Sequence, residues 1–379
     1  MAGAVAAMVE FDSTVLYLAL PAIGRDFAAP VAQLTLAGTV LTLGAVFGLP
    51  LAALADRRGR RLGLAIATGG FATGNLLSGL APNLALLAAA RLIAVTFASV
   101  ALGIAIVVVA ESAPPRRRGL FVSVLSLGAG SGSGLTAILY PVLAPHWRYL
   151  YLLGGLGWLL VPAVLKLLPE TRAWEAAHRA DVHPLRLLAG ARWRTRLIVI
   201  AAVTASAYVA DQPGGLFGAY FASGSLGLSP VIVSAVLIAS APFSLAGYLS
   251  GGWLSDRAGR RAPGIGLWFM SGIAAAITYI GTVPGFWAGN LAWGLFEGAA
   301  QPVISTWFAE LFPTRARASS QAVAIVAGAV GGVIGLVLLR ALQPAAGLGP
   351  ALVFLAVAPM AGALVLLVLP ETRGKPLPE

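Results

Sequence analysis

No cysteine occurs anywhere in the 379 residues, which removes disulfides and thiolate metal sites from consideration and leaves the redox compartment open. Lysine is almost as scarce: the two present, Lys166 and Lys375, follow no glycine loop able to cradle a phosphate, so ATP does not drive this protein directly. The three histidines, His146, His178 and His183, fall in expected loops too far apart for a metal cluster, and no nucleophile stands beside a base in a recognisable motif. No enzyme activity, no metal and no cofactor are therefore expected. Charge of any sign is short as well, at 10% of residues, where an ordinary soluble domain carries about a quarter. With 59% hydrophobic residues and a mean hydropathy of +0.88, the chain is a polytopic membrane protein whose first partner is the lipid bilayer.

The net charge of +11 suggests nucleic acid, but the basic residues lie in loops that alternate along the chain. Residues 56–61 read D-R-R-G-R-R and return at 256–261 as D-R-A-G-R-R, each copy between two apolar runs of membrane-spanning length. With these loops in the cytoplasm, 21 basic residues lie inside, three outside (Arg25, Arg148 and Arg340) and one, Arg91, within a helix. That asymmetry is the positive-inside rule, so the charge reports topology and no nucleic-acid partner is expected. The duplication extends further. E-S-A-P-P-R-R-R at 111–118 returns as E-L-F-P-T-R-A-R at 310–317, and P-E-T-R at 169–172 returns at 370–373. Parallel halves related by an axis along the membrane normal are the architecture of a large class of secondary transporters.

The apolar runs predict spans at 1–23, 31–55, 62–81, 83–111, 119–144 and 149–168, and again at 197–222, 230–255, 263–283, 286–310, 318–342 and 348–369. The first is too long for a signal-peptide core and lacks a basic leading region, so it is read as retained. The expected fold is an all-α membrane protein with twelve transmembrane helices in two pseudo-symmetric six-helix bundles: residues 1–168, a cytoplasmic linker at 169–196, residues 197–369, and a cytoplasmic tail at 370–379. Both termini are then cytoplasmic, in a multi-pass protein of the cell membrane expected to act as a monomer. Gly128, Gly130, Gly132 and Gly134, with Gly328, Gly331, Gly332 and Gly335, read as seams for close helix packing.

An ionisable residue at membrane depth is costly unless paired or hydrated, so each is a functional candidate: Glu10, Asp12, Arg91, Asp211 and Glu297. Asp12 lies nine residues from Pro21 and Arg91 nine from Pro82, each proline marking the outer end of its span. At about 1.5 Å per residue both sit roughly 13 Å below the same surface, a depth that permits a direct pair. Glu10 points about 200° away from Asp12, on a face with Ser13, Thr14 and Tyr17. Asn290, Trp293, Glu297 and Gln301 form one polar stripe, and Thr204, Tyr208 and Asp211 another, followed by Gln212-Pro213-Gly214-Gly215, where the helix is expected to break. Lipid would not tolerate such stripes. Glu10, Tyr17, Tyr208, Asp211, Gln212, Asn290, Trp293, Glu297 and Gln301 are thus expected to line a water-filled substrate cavity. The surplus of acids over a single Arg leans toward a cationic or polar neutral solute.

These motifs resemble the major facilitator superfamily over essentially the whole chain. The Glu followed seven residues later by Arg, at 111–118 and 310–317, is similar to sugar porters, and the tail L-P-E-T-R-G-K-P-L-P-E resembles the end of sugar porters and of organic-ion transporters of the same superfamily; F-D-S-T-V-L-Y-L-A-L-P at 11–21 resembles the first helix of proton-coupled drug exporters. The resemblance implies transport of a small organic solute by alternating access, coupled to protons, with a proton-driven multidrug exporter as one alternative and a non-transporting membrane solute sensor as another. It implies that Arg91, twenty residues before Glu111, pairs with Asp12 and that the two couple proton movement to transport. It also implies a cytoplasmic gate of ion pairs built from Asp56, Arg60, Glu111, Arg118, Glu170 and Arg172, repeated as Asp256, Arg260, Glu310, Arg317, Glu371 and Arg373. Pairs of this partly hydrated kind are worth about 1 kcal/mol or less each, strong enough together to hold and weak enough to break.

Overall fold

A computed structural model describes residues 1–44, 47–48, 51, 59–112, 118–170, 190–312 and 314–373. Among the described residues every regular element is helical and there is no strand. The chain divides into two compact units, Met1–Asp181 and Val182–Glu379.

The first unit holds α1 (Ala2–Asp26), α2 (Val31–Thr42), α3 (Arg60–Gly79), α4 (Leu84–Ser112), α5 (Arg118–Leu143), and α6 (Trp147–Gly154) joined through a 3₁₀ stretch, Gly155–Leu159, to α7 (Leu160–Leu167). Three glycines, Gly154, Gly155 and Gly157, crowd that tightened stretch, and each lies against a side chain of α3. The second unit holds α8 (Ala191–Gly224), α9 (Pro230–Ala258), α10 (Arg261–Thr278), α11 (Val283–Glu310), α12 (Thr314–Ala346), α13 (Leu348–Leu355) and α14 (Val357–Val365). Prolines open these helices where a missing N–H costs nothing. Ser229 caps α9 by accepting from Ile232 N at 3.4 Å, with Pro230 next, and Thr282 caps α11 by accepting from Gly285 N at 3.1 Å, with Pro284 in the first turn.

The duplication seen in the loops is also a duplication of packing. In the first unit α1 lies chiefly on α5, α3 on α4, and α2 on α4; in the second, α8 lies on α12, α10 on α11, and α9 on α11. The glycine seams account for the α1/α5 and α8/α12 crossings only in part. A Cβ on Gly132 would stand 1.9 Å from Ala7 O, and Cβ atoms on Gly331 and Gly335 would stand 2.1 and 2.2 Å from Ala205 O and Val209 O, so no side chain fits at these three positions. Gly130 and Gly134 face open space, and Gly328 only touches the ring of Tyr208.

Seven helical stretches among the described residues are long and apolar enough to cross a membrane. Many large apolar side chains point outward, Val142 at 74% and Leu249 at 70% exposure among them, as lipid-facing residues do. α8 differs from expectation in two ways. It begins at Ala191 rather than residue 197, carrying buried Trp193 into the core of its unit and placing Arg196, whose Nη1 donates to Leu311 O at 2.9 Å. It also runs unbroken through Pro213. The expected break is absent, as it is at the interior prolines of α1, α9, α11 and α12; Gly335 packs close to Val209 O, the carbonyl that Pro213 leaves without its helical donor, and Tyr279 OH donates to Gly214 O at 3.0 Å.

Candidate functional site

In the first unit, Asp12 on α1 and Arg91 on α4 are 2% and 1% exposed, and they form a two-pronged ion pair: Nη1 donates to Oδ1 and Nη2 to Oδ2, both at 2.6 Å. The depth argument from sequence placed these two residues at one level, and the structure joins them. Two further partners were not anticipated. Asn75 on α3 accepts from Arg91 Nη1 through Oδ1 at 3.2 Å, and the Tyr151 ring on α6 lies under the guanidinium at 4.8 Å. The visible signal for Asn75 is Gly154, because a Cβ there would come within 2.8 Å of the Asn75 side chain. Arg91 Nε and Tyr151 OH are buried without a hydrogen-bond partner among the described residues. The guanidinium is therefore hydrogen-bonded through Nη1 and Nη2 and, among the described residues, not through Nε.

Glu10 and Tyr17 are half-buried on the same helix, and among the described residues Glu10 makes no hydrogen bond or ion pair. Thr14, on the same face, donates to Ser133 Oγ on α5 at 3.0 Å.

In the second unit Asp211 on α8 and Glu297 on α11 lie close enough to act on each other electrostatically. Glu297 Oε1 accepts from Gln301 Nε2 at 3.0 Å, and Ser271 on α10, whose Oγ donates to Trp268 O at 2.8 Å, lies near the carboxylate. Asp211 acts in turn on Tyr279. Among the described residues no cation pairs with either acid. Asp211, Gln212, Asn290, Trp293 and Glu297 are partly exposed, whereas Tyr208 and Gln301 are more open. Asn290 spends its amide on its own helix, donating to Phe286 O at 2.7 Å. Ser271 and Tyr279 escaped notice in the sequence because a lone hydroxyl on an apolar helix carries no pattern.

The repeated loop motifs come together at one end of each unit. Glu170 accepts from Arg60 N at 2.7 Å and Arg61 N at 3.3 Å, at the start of α3; Glu371 accepts from Arg260 N at 3.0 Å and Arg261 N at 2.9 Å, at the start of α10. The acid of each P-E-T-R thus caps the helix that each D-R-x-G-R-R begins, where free N–H groups favour negative charge. The glycine between them is required twice over. Gly59 has φ of 106° and Gly259 of 91°, and a Cβ would fall 2.5 Å from Glu170 Oε2 or 2.6 Å from Glu371 Oε2. In the second unit Arg260 adds a two-pronged contact to Glu310, at 3.2 and 3.0 Å, and a donation to Ser255 O at 2.9 Å, while Asp256 stands 3.8 Å away and is 81% exposed. Thr372 Oγ1 donates to Glu310, and Arg373 Nη1 to Arg257 O. Of the expected gate, Asp56 and Arg172 lie outside the described residues, as do the side chains of Glu111, Arg118 and Arg317.

Burial alone would raise the Glu371 carboxyl, but donation from the N–H groups of Arg261, Arg260, Arg373 and Thr372 outweighs it and holds the group down at about 2. A carboxylate depressed in the folded state stabilises above its unfolded value of about 4.3, and that contribution fades as pH falls toward 2. Glu371→Gln is expected to cost about 1 kcal/mol at neutral pH and to flatten the stability loss between pH 5 and 2. Thermal unfolding of the purified protein across that range checks it, and an unaltered acid limb would mean that the cap does not contribute.

The helical units, the duplicated packing and the intramembrane ion pair together describe a membrane transporter built from repeats. The Major Facilitator Superfamily model matches residues 2–250 and again 214–379, so the chain belongs to that family. It is 36% identical to a gallate transporter of Pseudomonas putida over 182 residues, 45% of this chain and 39% of that protein. With a sialic acid transporter of Escherichia coli (strain K12) it shares 26% over 376 residues, covering 96% and 91% of the two chains. The crystal structure of a D-xylose-proton symporter superposes with a TM-score of 0.81 at 18% identity, covering 99% of this chain and 98% of that one.

Proposed function

We propose that this protein is a secondary active transporter that carries a small organic acid across the cell membrane together with protons. The observation that carries the reading is the buried pair of Asp12 and Arg91, a removable ion pair at membrane depth with Asn75 ready to keep the guanidinium when the aspartate takes a proton. The chain is read as twelve spans with both termini in the cytoplasm, supported by the seven apolar helices and by the same helix pairings in both units. Gallate and sialic acid, named for the relatives, are both carboxylates, and their chemistry outweighs the lean toward a cation drawn from counting acids.

Asp211, Glu297, Gln301 and Tyr279 are proposed as the solute-binding face of the second unit. Carboxyls without a cation nearby offer hydrogen bonds to hydroxyl groups, as carried by gallate and sialic acid. Glu297→Gln is expected to weaken binding of the transported solute about tenfold while leaving the fold intact, since the amide keeps only part of the hydrogen bonding. Wild-type affinity in that variant would make Glu297 structural.

The function itself is tested in proteoliposomes. Uptake of gallate, benzoate and sialic acid with the outside more acid than the lumen, abolished by a protonophore, is the expected result. Binding without flux would indicate a sensor. The exporter-like first helix at residues 11–21 favours a second reading, outward drug transport, which would show as proton-driven movement of organic cations and none of organic acids.

A further inference from the structure

The first unit contains a cavity of about 670 Å³ whose lining includes none of Asp12, Arg91, Asn75 and Tyr151, and nothing in the transport mechanism above uses it. It lies where α1 ends, α3 ends and α6 begins, and is lined among others by Arg25, Asp26, Leu80, His146, Trp147, Arg148 and Tyr149. α3 begins at Arg60, bound to Glu170, and ends at Gly79 on the cavity wall. Its 20 residues separate the two places by about 30 Å, the thickness of a hydrocarbon core. With the D-R-R-G-R-R loop in the cytoplasm, the cavity opens on the outer surface.

With that topology only three basic residues fall toward the outer side, and two of them, Arg25 at the end of α1 and Arg148 at the start of α6, are in this cavity. Arg148 has a structural task. It pairs with Asp26, donates to Ala81 O at 3.3 Å and stacks on Trp147 at 4.4 Å, and Trp147 Nε1 donates to Asp26 Oδ2 at 3.3 Å, so this group ties the end of α1 to the start of α6. Arg25 has no such task. It is exposed at the cavity and its guanidinium makes no hydrogen bond or ion pair among the described residues, while the only acid in the lining is already engaged by Arg148. Beside it stand two exposed rings, His146 and Tyr149, packed on one another with centroids 5.8 Å apart, and Tyr149 is 56% exposed. A free guanidinium recognises a carboxylate through paired hydrogen bonds, and adjacent rings accept an aromatic face. The volume is within the range of small-molecule sites.

We propose that this outer cavity is an accessory binding site for aromatic carboxylates, with Arg25 holding the carboxylate and His146 and Tyr149 flanking the ring, where solute is collected before it enters the transport path. For its ligand class the proposal rests on the organic-acid reading, but it occupies different residues and is measured separately.

The cysteine-free chain permits a local reporter. Leu80, 70% exposed and on the cavity wall, is replaced by Cys, and its modification by a membrane-impermeant maleimide is timed in the full-length protein. Benzoate is expected to slow labelling, Arg25→Gln to raise the concentration needed by about tenfold, and inorganic phosphate to have little effect. Absence of protection by benzoate, equal protection by phosphate, or full protection persisting in Arg25→Gln would each overturn the site. Uptake of benzoate is followed in the same preparations. Loss of all organic-acid flux would contradict the transport reading while leaving the labelling result to decide the cavity, whereas a raised KM with unchanged maximal rate in Arg25→Gln is the signature of a collecting site.

Discussion

Arg91→Met is expected to destabilise the protein by about 3–5 kcal/mol, the cost of stranding a buried charge, unless the medium is acidic enough to protonate the partner it leaves behind. Asp12 is 2% exposed and takes both of its short hydrogen bonds from Arg91, so removing the guanidinium leaves a carboxylate with no other hydrogen-bond donor among the described residues. Two signatures separate this from lost packing. Stability of the variant should recover as pH is lowered, because protonation removes the stranded charge, and Asp12→Asn in the same chain should restore most of it at neutral pH. A double variant as unstable as the single one would mean that Arg91 acts through its contacts with Asn75 and Tyr151 rather than through the ion pair. Thermal unfolding of the three variants in detergent makes the comparison.

Asp12→Asn alone is expected to do the reverse: to leave the protein folded and able to exchange solute, and to remove its response to a proton gradient. The amide is a permanent mimic of the protonated acid. Arg91 then keeps Asn75 Oδ1 at 3.2 Å and the Tyr151 ring at 4.8 Å, so losing the charge of Asp12 does not leave the cation bare. On the proposed reading, each protonation of Asp12 in the wild type would loosen α1 from α4 while Arg91 keeps these two neutral partners. The driving force depends on the cargo. A proton entering down 100 mV releases about 2.3 kcal/mol, roughly a 50-fold gradient for a neutral solute moved with one proton. A singly charged acid moved with one proton carries no net charge, so only the pH difference drives it, about tenfold per unit.

Much of this was legible before any coordinates. Counting helical rise from Pro21 and Pro82 put Asp12 and Arg91 at one depth, since rise per residue is nearly invariant. Rotation about the helix axis is not fixed by the sequence, and so Asn75 and Tyr151 are not singled out there: Asn75 stands among Thr68, Thr73 and Ser78, and Tyr151 two residues after Tyr149, with nothing to mark which of them faces Arg91. The repeated P-E-T-R was recognised as part of an ionic cluster, yet its acid caps a helix inside its own unit, a role that only the paired approach to Gly59 and Gly259 reveals. Pro213 misled for a physical reason. Proline costs a helix one hydrogen bond and crowds the carbonyl four residues back, a cost that packed membrane helices tolerate, and here α12 packs close at Gly335 and Tyr279 OH donates to Gly214 O.

The most direct test of the coupling assignment records proton entry itself. Proteoliposomes loaded with a pH-sensitive dye, holding either the wild type or Asp12→Asn, are given the transported acid outside with no gradient imposed. The account predicts acidification of the lumen on solute addition with the wild type and none with Asp12→Asn, although the variant still exchanges labelled for unlabelled solute. Solute-induced acidification of equal rate in Asp12→Asn would contradict it and leave the Asp12–Arg91 pair as a structural clasp.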